Sequence, residues 1–337
     1  MFWCFSTDYI QEVALKIMSD PRITYNAKLA EEFIQRLKVS SRYPKVSDQV
    51  ETLPIEIGKL VRHSYNPSIV KHGDGLLMAY RFHDGPTLAT KLAIAELDFT
   101  GKVLSNRHLE IKTEEPASFE DPKLFYIGQD VWICWVQSTW PSMPPTAVVK
   151  YGRLEGNTVV NVQQPTPPNP KPIEKNHVPL TVGDALYFIY ESEPKQVVFQ
   201  LDQSKIIETF ASDPPSWPYG SIRGGTPAIQ YQGKLLRFFH SGLDNEFDGW
   251  RRRYFMGAML MDPVSPFKVE AISKKPVVYG SELDQIPVSE RSKCHQYKPR
   301  VVFPGGCVEH DSKLWVSVGI NDSACSVLKL SHDQLHL

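Results

Sequence analysis

The sequence predicts an all-β fold, a five-bladed β-propeller behind a helical N-terminal extension, and three observations carry that prediction. Short apolar runs such as Leu76-Leu-Met-Ala-Tyr80 and Ala185-Leu-Tyr-Phe-Ile-Tyr190 recur between turn signals, with Pro and Gly scattered throughout. A strand, tight turn, strand unit appears five times. The first four units recur at a period of roughly 50 residues, which leaves room for two more strands in each and matches a four-stranded blade.

The elements follow in chain order. Residues 7 to 38 carry helical periodicity: Ile10, Val13, Ala14 and Ile17 form one stripe, Asp20-Pro21 breaks it, and Leu29, Phe33 and Leu37 form a second. Residues 1–50 are therefore expected to form a helical extension, and residues 51–337 the propeller. In unit one, Asn66-Pro-Ser-Ile-Val70 precedes Gly73-Asp-Gly-Leu-Leu-Met-Ala-Tyr-Arg81; in unit two, Asp121-Pro-Lys-Leu-Phe125 precedes Gly128-Gln-Asp-Val-Trp-Ile-Cys-Trp135. His177-Val-Pro-Leu180 and Gly183-Asp-Ala-Leu-Tyr-Phe-Ile-Tyr-Glu191 make unit three, Gly225-Thr-Pro-Ala-Ile229 and Gly233-Lys-Leu-Leu-Arg-Phe-Phe-His240 unit four. After an insertion, Phe303-Pro-Gly-Gly-Cys-Val308 and Asp311-Ser-Lys-Leu-Trp-Val-Ser-Val-Gly319 make unit five. Aligned on Pro67, Pro122, Pro179, Pro227 and Pro304, the copies are too regular for chance placement of 27 prolines.

Composition narrows the function. Of the 337 residues 42% are hydrophobic and 22% charged, a globular mix that excludes disorder, collagen and coiled coil. Lys and Arg number 37 against 38 Asp and Glu, so no global field points at nucleic acid or an anionic membrane, and neither is expected as a partner. No apolar run approaches the roughly 18 residues of a spanning helix. The start carries no basic leader or long apolar stretch, and a cytoplasmic location is expected. Cys4, Cys134, Cys294, Cys307 and Cys325 are widely spaced, as reduced buried thiols are. There is no ligand-spaced His/Cys/carboxylate cluster and no Gly-rich nucleotide fingerprint, so no metal or organic cofactor is implied.

The repeat also organises the polar residues. The first strand of every propeller blade lines the central channel, so equivalent positions at its start converge on one end of the axis. There stand Asn66, Glu120 with Asp121, Lys175-Asn176-His177, and Arg223-Gly-Gly225. The second strand returns to the same end, finishing at Arg81, Gln137, Glu191, His240 and Asn321-Asp322. Singly, each residue has a plainer explanation: Asn66 and Asp121 as turn residues before proline, Lys175 and Arg223 as solvated charges, His240 as a core histidine. Together they make the constellation of acids, bases and cations expected of a small polar-ligand site. Arg251-Arg-Arg-Tyr254 reads as a solvated hairpin with one inward arginine.

At these residues the chain resembles glycoside hydrolase family 130, the inverting β-mannoside phosphorylases and mannosidases, and the related mannosyltransferase/phosphorylase group. The segments that carry the resemblance are Asn66-Pro-Ser-Ile69, Ala79-Tyr-Arg81, Phe119-Glu-Asp-Pro-Lys-Leu124, Glu174-Lys-Asn-His-Val-Pro179, Gly224-Gly-Thr-Pro227 with His240, and Val318-Gly-Ile-Asn-Asp322. Residues 1–50 lie outside it. The resemblance implies a five-bladed propeller with Asp121 as general acid, acting through the sugar's 3-hydroxyl. It implies that Asn66, Arg81 and Asp322, with Glu120, Asn176 and His177, hold the sugar. Lys175, Arg223 and His240, with Tyr254, would bind an attacking phosphate, the co-substrate. Phosphate already carries negative charge and needs positioning more than deprotonation, whereas a water needs a second carboxylate.

The chain departs from the family pattern at Lys123, where arginine usually follows Glu-Asp-Pro, at Gln137 to Pro145, at His177 and at Ile320-Asn321. Several activities therefore stay open: a phosphorylase, a mannosidase with Glu191 or Glu193 as base, or a mannosyltransferase. Two further readings are a furanosidase-type propeller using Asp121, Glu191 and Asp322, and a non-catalytic sugar-binding propeller. The expected partner is an oligosaccharide or small glycoside, and the N-terminal helices are a possible homo-oligomer interface.

Overall fold

The structure, a computed structural model, describes residues 50–57, 62–83, 89–113, 117–140, 144–213, 216–245, 251–279 and 301–337, without the side chains of residues 62, 244, 245 and 251–253. The predicted helices, Cys4, Cys294 and the side chains of the three arginines before Tyr254 fall outside that description. Strand β1 (Glu51–Pro54) comes first, and blade one follows as β2 (Arg62–His72), β3 (Gly75–His83), β4 (Thr90–Leu97) and β5 (Val103–His108). Blade two is β6 (Ser118–Ile127), β7 (Asp130–Ser138), β8 (Ala147–Glu155) and β9 (Thr158–Gln163); blade three is β10 (Val178–Val182), β11 (Ala185–Glu191), β12 (Gln196–Asp202) and β13 (Lys205–Ser212). Blade four splits its inner strand into β14 (Ser221–Gly225) and β15 (Ile229–Tyr231), followed by β16 (Lys234–Asn245), β17 (Arg251–Met261), β18 (Val269–Ile272) and β19 (Val278–Tyr279). Blade five is β20 (Val302–His310), β21 (Lys313–Ile320) and β22 (Ala324–Leu330), and its outermost strand is β1. The predicted five blades are present.

Alternation of side chains builds the ring. Along β3, Leu76, Met78 and Tyr80 are buried in the seam with blade five, while Leu77 and Ala79 are buried in the seam with blade two. Leu124 and Phe125 on β6 likewise split between the seams with blades one and three. On β16, Leu235 and Phe239 face blade three, and Leu236 and Phe238 face blade five. Both faces of these strands are therefore covered, which is why the sequence shows continuous apolar runs rather than strict alternation. Each buried Leu, Met or Phe among them contributes about 1.5–3 kcal/mol.

The ring is closed by the two ends of the described chain. β1 runs antiparallel to β22, with Glu51 opposite Lys329 and Pro54 opposite Ser326. Glu51 accepts from Lys313 at 3.0 Å and from Lys329 at 2.7 Å, and Ile55 and Ile57 drop into the seam between blades five and one. No helix among the described residues is long and apolar enough to cross a membrane.

A repeated irregularity aims residues into the channel. Pairing slips by one residue between Tyr65 and Ser68 on β2 and between Glu120 and Lys123 on β6. Asn66 and Asp121 occupy these bulges with φ of 51°, and Asn176, just before β10, has φ of 67°. Asn and Asp tolerate this left-handed conformation better than other side chains, and a bulge re-aims the residue it carries. Pro67 and Pro122 fit the same bulges because proline has no N–H to lend to the ladder. Counted from the hairpin turn, His177 takes that place in blade three and Pro179 lies two residues further on, opposite Phe188. The alignment on prolines is thus out of register there.

Candidate active site

On the second strands, Arg81, Val136, Glu191, His240 and Gly319 stand at the same distance from their hairpin turns. Sequence reasoning placed Gln137 and Asn321-Asp322 in this ring. Register gives the places to Val136 and Gly319. Gly319 leaves room for its neighbour, since a β-carbon there would run into the Asn66 side chain and backbone. Asp322 still reaches the site from the turn after β21, where Asn321 and Asp322 both have positive φ.

Asp121 is at the centre. Its Oδ1 accepts from Asn66 Nδ2 at 2.8 Å and from Arg81 Nη1 at 3.1 Å. Arg81 also lies 3.6 Å from Glu120 Oε2, which accepts from Lys175 Nζ at 2.8 Å. Blades one, two and three thus meet in one network of Asn66, Arg81, Glu120, Asp121 and Lys175. Burial is the largest influence on Asp121 and favours the neutral acid, but Arg81, Lys123, the Asn66 bond and Lys175 outweigh it and hold the carboxyl well below its ordinary range. Burial likewise opposes the Arg81 charge, and Tyr65, Glu120, Asp121 and Asp322 more than restore it. Tyr65 seats the guanidinium, whose carbon lies 4.7 Å from the ring centroid, and its hydroxyl meets His83 Nε2 at 3.2 Å.

Lys123 was noted in the sequence as a departure and not as a site residue. The fold buries it to 2% exposure, with Nζ 5.5 Å from the Phe303 ring centroid and 3.5 Å from the Asp121 carbonyl oxygen. Its charge depresses the pKa of Asp121, His177 and His240 together. The sequence signal was its place directly after Asp121-Pro122; its burial was not readable.

His240 is 3% exposed and hydrogen-bonds through Nδ1 to the Gly224 carbonyl at 2.6 Å. Its ring packs 4.8 Å from Phe303 and stacks on Tyr254 at 6.0 Å. Burial first, then Arg223 and Lys123, lower its pKa to about 3 against the Gly224 bond, so it is neutral. Gly224 belongs where it is because a β-carbon would strike the Asn176 backbone.

His177 forms a separate buried group. Its Nε2 lies 3.1 Å from Glu174 Oε2, and Glu174 Oε1 accepts from Tyr190 at 3.1 Å and from the Lys171 backbone at 2.7 Å. Glu191, although in register with Arg81 and His240, pairs with Lys171 at the surface and, among the described residues, makes no hydrogen bond or ion pair to Asp121's network. Asn176 contributes backbone packing against Gly224. Glu193 is half-buried, and desolvation raises its pKa. The free thiols Cys134, Cys307 and Cys325 are buried and pushed toward the protonated form, Cys134 to about 12, which leaves them inert packing groups.

The fold has solved counterparts. MPT-1, a GDP-Man-dependent mannosyltransferase from Leishmania mexicana, superposes with a TM-score of 0.61 at 13% identity, over 89% of this chain and 95% of that one. MPT-4, a mannose phosphorylase from the same organism in complex with phosphate ion, gives 0.60 at 15% identity, over 89% and 93%. A structure from the GH130 family of mannoside phosphorylases, which contains glycoside hydrolases targeting β-1,2 mannosidic linkages in Candida mannan, gives 0.56 at 13% identity, over 80% and 84%. This chain has their fold. No protein-family model matches it, and no curated protein matches it by sequence.

Proposed function

We propose that this chain is a carbohydrate-active enzyme, an inverting β-mannoside phosphorylase in which Asp121 exchanges a proton with the glycosidic oxygen. The observation that carries the reading is the division of charge in the site. One carboxylate, Asp121, is held by Asn66 and Arg81, while Glu120 is engaged by Lys175 and Arg81, Glu174 by His177 and Tyr190, and Glu191 by Lys171. An inverting hydrolase needs a second carboxylate set apart to activate water. Here Asp121 lies in the fields of Arg81, Lys123 and Lys175, and the buried His240 in those of Arg223 and Lys123, a cationic surround that suits an anionic nucleophile. The fold counterpart MPT-4, described as a mannose phosphorylase with bound phosphate, supports the same reading. Atoms balance: the proton of monohydrogen phosphate ends on the departing alcohol, and the phosphoryl oxygen takes the mannosyl carbon. In the ligand-free site Asp121 is ionised, the form that serves as base when mannose 1-phosphate is consumed to make a β-mannoside.

A transferase drawing on a mannosyl nucleotide is the second reading, favoured by the same cations and by the fold counterpart MPT-1. Product analysis separates them. A panel of β-mannosides is incubated with and without inorganic phosphate, using wild type beside Asp121→Asn. The expected result is phosphate-dependent mannose 1-phosphate that disappears in the variant; free mannose without phosphate moves the assignment to a hydrolase and makes Glu193 the next target. Mannoside formed only from a mannosyl nucleotide moves it to the transferase.

A further inference from the structure

His240 makes one hydrogen bond that decides its chemistry. A carbonyl oxygen only accepts, so the 2.6 Å contact from Nδ1 to Gly224 puts the ring proton on Nδ1. The ring is almost fully buried, and Lys123 and Arg223 oppose a second proton. A neutral imidazole with hydrogen on Nδ1 offers a lone pair at Nε2. Turning the ring over would set a carbon against the Gly224 carbonyl and lose the bond, and Phe303 and Tyr254 pack against the ring. No second hydrogen bond of His240 is formed among the described residues.

The site thus combines cations with an acceptor. Lys123 and Arg223 attract an oxyanion, while Nε2 repels any oxygen that lacks a hydrogen. We propose that His240 is the residue that selects the anion: the site takes an oxyanion carrying its own proton, hydrogen phosphate, whose P–OH donates to Nε2, and it discriminates against fully deprotonated oxyanions such as sulfate. This rests on the phosphate-dependent reading for the anion, and adds what that reading does not contain, the direction of the hydrogen bond. It has a consequence for turnover. A sugar phosphate dianion has no P–OH, so the same lone pair that holds the co-substrate loosens the product.

The test is calorimetric titration of the protein with inorganic phosphate, arsenate and sulfate at neutral pH, in wild type and His240→Phe. Phosphate and arsenate keep a hydroxyl there and sulfate has none. Wild type is expected to bind phosphate and arsenate at least about tenfold more tightly than sulfate, and His240→Phe to bind phosphate and sulfate alike. Sulfate binding wild type as tightly as phosphate, selectivity surviving in His240→Phe, or no anion binding at all each overturns the proposal. Because a core substitution can disturb folding, nitrogen NMR of wild type with bound phosphate gives a second check: Nε2 must stay unprotonated. A protein that prefers phosphate yet yields no mannose 1-phosphate loses the phosphorylase reading and keeps this one. Phosphorolysis inhibited by sulfate at concentrations equal to those of phosphate does the reverse.

Discussion

Asn66 Nδ2 donates to Asp121 Oδ1 over 2.8 Å, joining the bulges of blades one and two. The Arg81 bond falls on the same oxygen, so in the proposed reaction Oδ2 is the oxygen that carries the exchanged proton. Neither residue could make this contact from a regular strand, because the positive φ at both positions is what turns the side chains toward each other.

Asp121→Asn tests that assignment most directly, since the amide keeps the size and removes the exchangeable proton. A general acid contributes about a hundred- to ten-thousandfold, so release of mannose 1-phosphate is expected to fall by that amount with little change in melting temperature. A variant within about tenfold of wild type would place the acid elsewhere.

The two directions of reaction should respond oppositely to pH. Asp121 has a lowered pKa, so its acid form is scarce at neutrality and grows as pH falls. Phosphorolysis, which needs the acid, is expected to gain kcat/KM from about pH 8 to about pH 5, while synthesis from mannose 1-phosphate, which needs the base, does not. Rates of both directions on one enzyme preparation check this, and phosphorolysis that rises with pH contradicts it.

Acid should destabilise the fold through its buried histidines. His177 and His240 both have folded pKa values below 6.5, so the unfolded chain binds more protons once pH drops under that value. Their stabilisation is complete above about pH 6.5 and is lost as pH falls, for His240 at about 1.4 kcal/mol per pH unit toward pH 3. Chemical denaturation across this window in wild type and His240→Phe measures the slope. The variant should show a shallower one.

Ring closure predicts an unequal division of stability around β1. Glu51 is half exposed, so Glu51→Gln is expected to cost less than about 1 kcal/mol despite its two lysine partners. Ile55 and Ile57 are each 7% exposed in the seam between blades five and one, and each truncation to Ala should cost about 2–5 kcal/mol. Denaturant midpoints for the three variants test the order, and an ion-pair variant as damaging as Ile55→Ala would reverse it.

Blade number and the residues around Asp121 were legible because a repeat makes its own alignment: chance does not place five apolar hairpins in step. What was not legible depends on packing. β1 has only the four residues Glu51 to Pro54 and no apolar run, and its partner strand lies at the far end of the chain. Lys123 differs from a surface lysine only in being covered, which no residue near it in sequence announces. Glu191 has the right register, yet Lys171, in an irregular segment, draws it away. His177 shows the limit of alignment on prolines, since counted from the hairpin turn histidine fills the place that proline takes in blades one and two.

Gly319 offers the last test, because its role is to be absent. A β-carbon at this position would meet Asn66 Oδ1, N and Cα, and Asn66 is 3% exposed, with no room to retreat. Gly319→Ala is therefore expected to push the Asn66 amide off Asp121 and remove one of the two bonds holding the carboxylate. Losing a hydrogen bond to a charged group is worth about 1.5–3 kcal/mol, so the Asp121 pKa rises and the pH profile of phosphorolysis moves upward. Asn66→Ala should give the same shift without the steric cost, and the double variant no further shift, because both changes remove one contact. Matching profiles from the two single variants would support the contact; an unchanged profile in Gly319→Ala beside a shifted one in Asn66→Ala would mean that the strand, and not the side chain, absorbs the methyl group.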